Sequence, residues 1–240
     1  MITSLYHFIS KIFLFGLFSV AFLVALAGIG NPGADFMPFF VMLLFAVAGI
    51  LTITLIPYLT IKKSNLYVAE SGEHKIRKIV IDNGTVTTLA GTGSQGNEDT
   101  APGTSARFYR LQAITTDGTN LYVAEFGNHR IRKIVIDNGT VTTLAGSSSG
   151  STDTADGTPS FKKPRGITTD GTNLYVADDN HRIRKIVIST GVVTTIAGNS
   201  SGLNDATGTA ALFDKPFGIT TDGTNLYVAD WDNHRIRKIE

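Results

Sequence analysis

The sequence lacks cysteine entirely and carries almost no net charge. Its 240 residues include 21 lysines and arginines against 20 aspartates and glutamates, for a formal net charge of +1. Without cysteine, the chain can form no disulfide, no thiolate metal site and no cysteine nucleophile. Nucleic-acid-binding domains usually have a clear basic excess, so the charge balance argues against that class of partner. The sequence also contains no Ser-His-Asp set, phosphate-binding loop or metalloprotease motif.

Charged residues are also missing from most of the first 60 positions. None occurs from 12 to 34, and after Asp35 none occurs until Lys62. The two resulting apolar runs each approach the ~20 residues that a helix needs to cross a bilayer. Glycine and proline between the runs favour a tight turn. We therefore predict a membrane anchor over residues 1–56, built as a hairpin of two transmembrane helices at about 12–29 and 36–56.

A cleaved signal peptide is the alternative for the first run, because Ala25-Leu26-Ala27 is a small-residue site of the kind that signal peptidase recognises. The second run would then be the anchor. Lys11 precedes the first run, and Lys62 and Lys63 follow the second. The positive-inside rule then predicts a multi-pass protein of the cell membrane with the following domain on the cytoplasmic side. The exported side is the alternative, since only three lysines carry the inference.

A stretch of 14 or 15 residues recurs four times in the rest of the chain. The copies begin at Asn65, Asn120, Asn173 and Asn225, and the last reads NLYVADWDNHRIRKI. Their tyrosines are separated by 55, 53 and 52 residues. A repeat of this period indicates one supersecondary unit that is used several times.

Each repeat is predicted to contain four short strands. The copy at 161–198 has β-branched runs separated by the turn signals Asp-Gly, Asp-Asp-Asn and Ser-Thr-Gly. Both faces of this antiparallel meander carry apolar residues, so neighbouring sheets must stack, and radial stacking of such sheets gives a β-propeller. On the third strand, Arg182, Arg184 and Lys185 are expected to cover apolar surface with their stems while their charges reach water.

The pattern resembles the NHL repeat in its long bacterial form. The matching motifs are Phe-x-x-Pro-x-Gly-Ile, Asp-Gly-x-Asn-Leu-Tyr-Val-Ala-Asp and Asn-His-Arg-Ile-Arg-Lys-Ile, and they cover about 65–240. The resemblance implies a β-propeller, commonly of six blades. It also implies a platform that binds protein, RNA or other ligands, and some relatives have enzymatic activity. The fold class expected is thus all-β, with an NHL-type propeller segment of about four blades at 57–240.

Both ends of the repeat region depart from the family pattern. Copy one has no evident first strand, and Pro57–Ile61 is predicted to supply a degenerate one. Copy four reaches Glu240 directly after its third strand, so the last blade is predicted to be incomplete. The explanations left open are a truncated sequence, copies that pair to complete a ring, and four blades that close alone. The blades are expected at about 57–91, 108–146, 161–198 and 213–240.

Acidic residues and histidines recur at fixed positions of the repeat. Paired carboxylates could act as acid and base, and histidines could ring a metal. Recurrence in every copy instead favours a structural role in the turns, so no catalytic, metal-binding or cofactor-binding residue is predicted, and no cofactor. Acidic loops between the blades could suit calcium but lack the spacing of a known calcium loop, so solvated turns are predicted. The recurring residues are Glu70, Glu125, Asp178 and Asp230, with His74, His129, His181 and His234.

Sequence differs between the copies mainly in the loops that join them, and binding specificity tends to lie in such loops. Phe126 and Trp231 also break the repeat pattern, just after the second strand, and are the candidate ligand contacts. We therefore expect a membrane-anchored, non-catalytic binding platform for a protein or small molecule, with nucleic acid disfavoured. The alternatives are a propeller hydrolase or lyase with a central metal, and a fragment of a larger NHL propeller. The variable loops are residues 92–110, 147–160 and 199–214.

Overall fold

Short β-branched runs separated by glycine-containing turns fold here as antiparallel strands, as the sequence pattern predicts. The computed structural model describes residues 41–47, 50–56, 65–153 and 158–240. The chain divides into two units, Met1–Ile61 and Lys62–Glu240. In the described part of the second unit, the helical elements are two short 3-10 turns, at Gly103–Ser105 and Gly208–Ala210.

The described part of the first unit is a pair of strands. Strand β1 (Val41–Val47) pairs antiparallel with β2 (Ile50–Ile56). This differs from the helix predicted over 36–56. The run at 36–56 is apolar throughout and so lacks the periodicity that separates a helix from a strand, and the β-branched residues of β2 favour a strand. The predicted helix at 12–29 and the predicted strand at Pro57–Ile61 lie outside the described residues. Among the described residues, no helix has the length and apolar character needed to span a membrane.

The second unit consists of four antiparallel meanders, and we call these blades 1 to 4. Two middle blades have the predicted four strands, and the described residues of blades 1 and 4 form three each. The four antiparallel sheets are consistent with the predicted propeller segment. The strands are β3 (Asn65–Glu70), β4 (Lys75–Val80) and β5 (Val86–Ala90) in blade 1; β6 (Leu111–Thr116), β7 (Asn120–Glu125), β8 (Arg130–Val135) and β9 (Val141–Ala145) in blade 2; β10 (Pro164–Thr169), β11 (Asn173–Asp178), β12 (Arg182–Val187) and β13 (Val193–Ala197) in blade 3; and β14 (Pro216–Thr221), β15 (Leu226–Asp230) and β16 (Arg235–Ile239) in blade 4.

An aspartate holds the turn between the first and second strands of a blade. In blade 3, Asp170 accepts hydrogen bonds from the backbone N–H groups of Thr172 and Asn173, and from the Tyr175 hydroxyl at 2.9 Å. Gly171 takes a φ of +88°, which costs little without a Cβ. Partial burial opposes ionisation of Asp170, but these hydrogen bonds outweigh it and lower its pKa to about 2. The motif Asp-Gly-x-Asn-Leu-Tyr is thus a structural unit of the turn.

The hydrophobic cores lie between the blades. The core between blades 2 and 3 combines Tyr122 and Ile131 from one blade with Leu174 and Val176 from the next. Phe161, from the loop that joins the two blades, completes it. Equivalent cores join blade 1 to blade 2 and blade 3 to blade 4. The apolar character of both sheet faces, noted in the sequence, follows from this radial packing.

The outer faces of the two end blades are exposed. Leu66 in blade 1 is 56% exposed, whereas its equivalent in blade 2, Leu121, is 1% exposed. Ile236 in blade 4 is 72% exposed, whereas its equivalent Ile183 is fully buried. Close strand contacts in the described residues join consecutive blades, so the four blades do not close on one another. That copies of the chain pair to complete a ring stays a prediction.

Candidate functional site

A buried arginine on the third strand anchors each complete blade interface. In blade 3, Arg184 is fully buried, and its Nη1 lies 3.1 Å from Oδ2 of Asp178. Its guanidinium also donates to the backbone carbonyls of Thr152 and Ser160 and to the carboxylate of Asp153. The charge therefore does not reach water, and the prediction that the charge of Arg184 is exposed to solvent was wrong. A fully buried charge must be paired, and the carboxylates of Asp178 and Asp153 both pair with the Arg184 guanidinium.

The same arrangement occurs in blades 2 and 4. Arg132 pairs with Glu125 at 2.9 Å, and Arg237 pairs with Asp230 at 2.9 Å. An aspartate from the preceding loop, Asp99 in one case, supplies the second carboxylate. Each guanidinium also lies over a buried phenylalanine ring that comes from the same loop. The three stacked pairs are Arg132 over Phe108 at 5.0 Å, Arg184 over Phe161 at 5.0 Å and Arg237 over Phe213 at 4.8 Å.

These contacts correct the prediction that the acidic loops are simple solvated turns. Asp99 and Asp153 hold buried arginines that lie 33 and 31 residues further along the chain. A signal for this pairing exists in the sequence, because an aspartate recurs 31 to 33 residues before each arginine of Arg132, Arg184 and Arg237. The loop aspartates therefore belong to the scaffold.

The carboxylates that end the second strands have the structural role predicted for them. Asp178 accepts hydrogen bonds from the Lys162 backbone N–H at 2.8 Å and from the Asn180 side chain, besides its pairing with Arg184. Burial raises the pKa of Asp178 to about 7, against the lowering effect of Arg184. The carboxyl group is fully enclosed by these protein donors, so no substrate reaches it.

The recurring histidines connect one blade to the next. Nδ1 of His129 accepts the backbone N–H of Lys163 at 3.0 Å, and Nδ1 of His181 accepts that of Lys215 at 3.2 Å. Both histidines have a positive φ in the turn. The predicted structural role is confirmed for these two. Within the part of the chain that the structure describes, no three potential metal ligands lie close enough to share an ion.

The candidate ligand contacts Phe126 and Trp231 lie on one continuous surface. The Arg165 guanidinium lies 5.2 Å from the Phe126 ring centre and 5.2 Å from the Phe217 ring centre. The Phe217 and Trp231 rings follow, with centres 5.3 Å apart and planes at 35°. The series Phe126, Arg165, Phe217 and Trp231 crosses blades 2, 3 and 4, and we call it the aromatic ladder. The structure thus brings together two residues that are 105 positions apart in the sequence.

Local backbone geometry explains why the ladder forms. Phe126 and Trp231 directly follow the second strands of their blades. Arg165 and Phe217 lie where the pairing of the first strand with the second shifts register. Such a bulge redirects the side chain at the irregular position. First strands begin and second strands end where the inter-blade loops lie, so the ladder is at the loop-bearing end of the blades.

Sequence reasoning missed Arg165 and Phe217. They occupy the middle position of Pro-x-Gly, and the equivalent residue in blade 2 is Gln112. Variation at this position between copies is the signal that could have identified them. The ladder residues therefore all occupy variable positions, whereas the buried arginine network occupies repeated ones.

The ladder offers apolar and cationic surface. Trp231 is 61% exposed, and Phe126 and Phe217 are half-buried. Lys163 is exposed and lies 5.5 Å from the Phe126 ring centre. Asp179 fixes Arg165 through an ion pair of 2.8 Å. Aromatic anchors beside cations can bind apolar and anionic groups. The ladder contains no nucleophile or general base.

Comparisons with known proteins support the fold. No protein-family model matches the chain. It is 30% identical over 202 residues to Protein SUPPRESSOR OF QUENCHING 1, chloroplastic, of Arabidopsis thaliana. This match covers 75% of the present chain and 19% of the Arabidopsis protein. It is 26% identical over 219 residues to human NHL repeat-containing protein 2. This match covers 73% of the present chain and 29% of the human protein. The chain therefore spans less than a third of either relative.

A solved structure is also similar to this chain in fold. An auxiliary nutrient binding protein from Bacteroides ovatus matches with a TM-score of 0.59 at 24% identity, over 75% of this chain and 46% of that chain. At this identity the match concerns the fold alone. The homologues with NHL repeats and the propeller-like structure together support the NHL-repeat β-propeller fold that the sequence predicts.

Proposed function

We propose that the chain is a non-catalytic binding platform whose ligand contacts the aromatic ladder. One observation carries the proposal: four residues at positions that differ between repeats, Phe126, Arg165, Phe217 and Trp231, form one surface, whereas the repeated arginines and their carboxylate partners are buried in the scaffold. Phe126 is half-buried and Trp231 is exposed, so both can contact a ligand, and Arg165 lies against the Phe126 and Phe217 rings.

The chemistry of the surface indicates the type of ligand. Exposed aromatic side chains often dominate the energy of protein interfaces, because they bury a large apolar area at small entropic cost. Lys163 adds a positive charge for which the described residues show no ion pair. We therefore propose a protein segment or small molecule that combines apolar and acidic groups.

Site-specific photo-crosslinking tests this proposal. With benzoyl-phenylalanine at position 231 or 126, irradiation of cells of the source organism is expected to give a discrete adduct. The matched control is position 190, since Thr190 is exposed in a hairpin turn at the opposite end of blade 3. Equal adducts from both ends, or adducts from position 190 alone, would show that the ligand does not contact the ladder.

Membrane attachment is the second part of the proposal. The support is compositional, since the first 61 residues hold only two charged residues, Lys11 and Asp35. Transfer of such a segment into lipid is favourable. We expect alkaline carbonate extraction to leave the full chain in the membrane pellet and to release a variant that lacks residues 1–56. Release of the full chain would overturn the attachment while leaving the platform untouched.

A further inference from the structure

Lys163 is an exposed cation at the junction of blades 2 and 3, directly before β10. Its equivalent in blade 4 is Lys215, which pairs with Asp232 of the turn after the second strand. In blade 3 the carboxylate of that turn is Asp179, and it pairs with Arg165 instead. Lys163 therefore has no ion pair within the described residues, although the same scaffold neutralises the equivalent lysine one blade further on.

Two further cations lie beside Lys163. Arg110 is exposed, and its backbone carbonyl accepts the Phe126 N–H at 3.0 Å. The Phe126 ring centre lies 5.5 Å from Nζ of Lys163, so Arg110 and Lys163 both adjoin Phe126. Lys162 is also exposed, and its equivalent in blade 4 is Asp214. Arg110 and Lys162 also have no ion pair in the part of the chain that the structure describes. We call Arg110, Lys162 and Lys163 the cationic cluster.

The backbone of Lys163 is held in place by the neighbouring blade. It takes a φ of +55°, in the left-handed region that residues with a side chain seldom occupy. Nδ1 of His129 in blade 2 accepts the Lys163 N–H at 3.0 Å and stabilises this conformation. Burial lowers the pKa of His129, and the positive charge of Lys163 lowers it further. Because the backbone is fixed before binding, a ligand of Lys163 meets a lower entropic cost.

We propose that the cationic cluster binds an acidic segment of another polypeptide, which continues over the aromatic ladder toward blade 4. The inference rests on the proposed function and adds the class and direction of the ligand. Its carboxylates lie beside Lys163, and its apolar side chains lie beside Phe217 and Trp231. Steps along the ladder from Lys163 to Trp231 are 5.2 to 5.5 Å each, so an extended segment of about six residues, at ~3.3 Å per residue, spans it.

The chemistry of the surface favours a polypeptide over a nucleic acid or a segment of this chain. Nucleic acids stack their bases on open aromatic faces, whereas the Phe126 ring already has Lys163 and Arg165 against it, at 5.5 and 5.2 Å. Residues outside the described ranges hold two carboxylates, Asp35 and Asp156, against three lysines, so they form no acidic segment. A polypeptide with acidic and apolar side chains matches both the cluster and the ladder.

Salt dependence tests the proposal on the unchanged cluster. The full-length protein with benzoyl-phenylalanine at position 231 is irradiated in a detergent lysate of the source organism, at about 0.05 M and about 0.5 M NaCl. The adduct yield is expected to fall at least about fivefold at the higher concentration, since salt screens exposed charge pairs. Mass spectrometry of the adduct is expected to identify a polypeptide with several Asp or Glu residues within about six positions of the crosslink.

Charge reversal tests the residues of the cluster. Lys163→Glu combined with Arg110→Glu is expected to lower the low-salt adduct yield at least about tenfold, because like charges then face each other. The matched control is Lys215→Gln combined with Asp232→Asn, which removes the equivalent lysine together with its partner and keeps the net charge. Its adduct yield is expected to stay within about twofold of the parent, because an exposed pair of this kind contributes little.

The possible results separate this inference from the proposed function. An adduct whose yield changes neither with salt nor with the charge reversal would overturn the role of the cationic cluster and leave the ladder as a ligand surface. Capture of a nucleic acid, of a small molecule or of this chain's own sequence would also overturn it. Absence of any adduct would contradict the proposed function and this inference with it. The salt series needs no variant, so it stays decisive even if the charge reversal fails to fold.

Discussion

Replacing Arg184 by methionine is expected to lower the free energy of unfolding by about 3–5 kcal/mol, because the change leaves a buried carboxylate without its partner. Methionine retains much of the packing volume over Phe161, so the loss reports mainly on the charge. Asp178 and Asp153 both pair with this arginine, one from inside the blade and one from the preceding loop. Urea unfolding followed by circular dichroism measures the effect.

The loss of stability in Arg184→Met is also expected to depend on pH. Burial already raises the pKa of Asp178 to about 7, and loss of the arginine removes the main interaction that opposes this rise. A carboxyl whose pKa is higher in the folded state destabilises the protein as pH rises through that value, because unfolding then releases a proton. The loss in free energy of unfolding caused by Arg184→Met should therefore be larger at pH 8 than at pH 5.

Arg77→Met in blade 1 is the matched control. Arg77 occupies the same repeat position, but its side chain is about a third exposed, and among the described residues its ion-pair partner is Glu70, at 3.3 Å. Exposed pairs of this kind contribute about 0–1 kcal/mol. A loss of similar size for Arg77→Met and Arg184→Met would contradict the structural role assigned to the buried network.

Replacing Phe161 by alanine is the second change with a large expected effect, a loss of about 3–5 kcal/mol. The ring is fully buried in the core between blades 2 and 3 and packs under Arg184. Its removal leaves a cavity at the interface rather than within one sheet. Amide hydrogen exchange is therefore expected to accelerate in the strands that supply this core from both blades, above all β7 and β11.

Phe126→Ala provides the comparison for Phe161→Ala. The same atoms are removed from a half-buried ring of the ladder, so the expected loss is below about 1 kcal/mol. If Phe126→Ala destabilised the protein as strongly as Phe161→Ala, the ladder would be part of the scaffold rather than a surface for a ligand.

The number of blades was predictable because the 52- to 55-residue period and the Asn-Gly or Asp-Gly turns are local signals. Burial of Arg184 was not predictable from its own strand, where alternating charges resemble a solvated edge. Its partners arrive from a loop that varies in sequence, and only the packed blade interface places them. The secondary structure of β1 and β2 was not predictable from local sequence, since apolar runs without periodicity fit a helix as well as a strand.

The candidate site was predictable in part. Phe126 and Trp231 stand out because they replace small or polar residues of the other copies, Ser71 and Asp179. Their convergence depends on the bulges that redirect Arg165 and Phe217, and a bulge is a tertiary feature with a weak sequence signal. Comparison of repeats identifies the members of such a surface more readily than its geometry.

The central claim is that repeated residues build the scaffold and variable residues bind the ligand. Trp231→Ala, combined with a photo-crosslinker at position 126, tests it most directly when adduct yield and thermal midpoint are measured on the same sample. The expected result is an unchanged midpoint with loss of the adduct, because Trp231 is exposed and contacts Phe217 at the edge of the ladder. An intact adduct, or a fall in midpoint as large as that of Phe161→Ala, would contradict the claim.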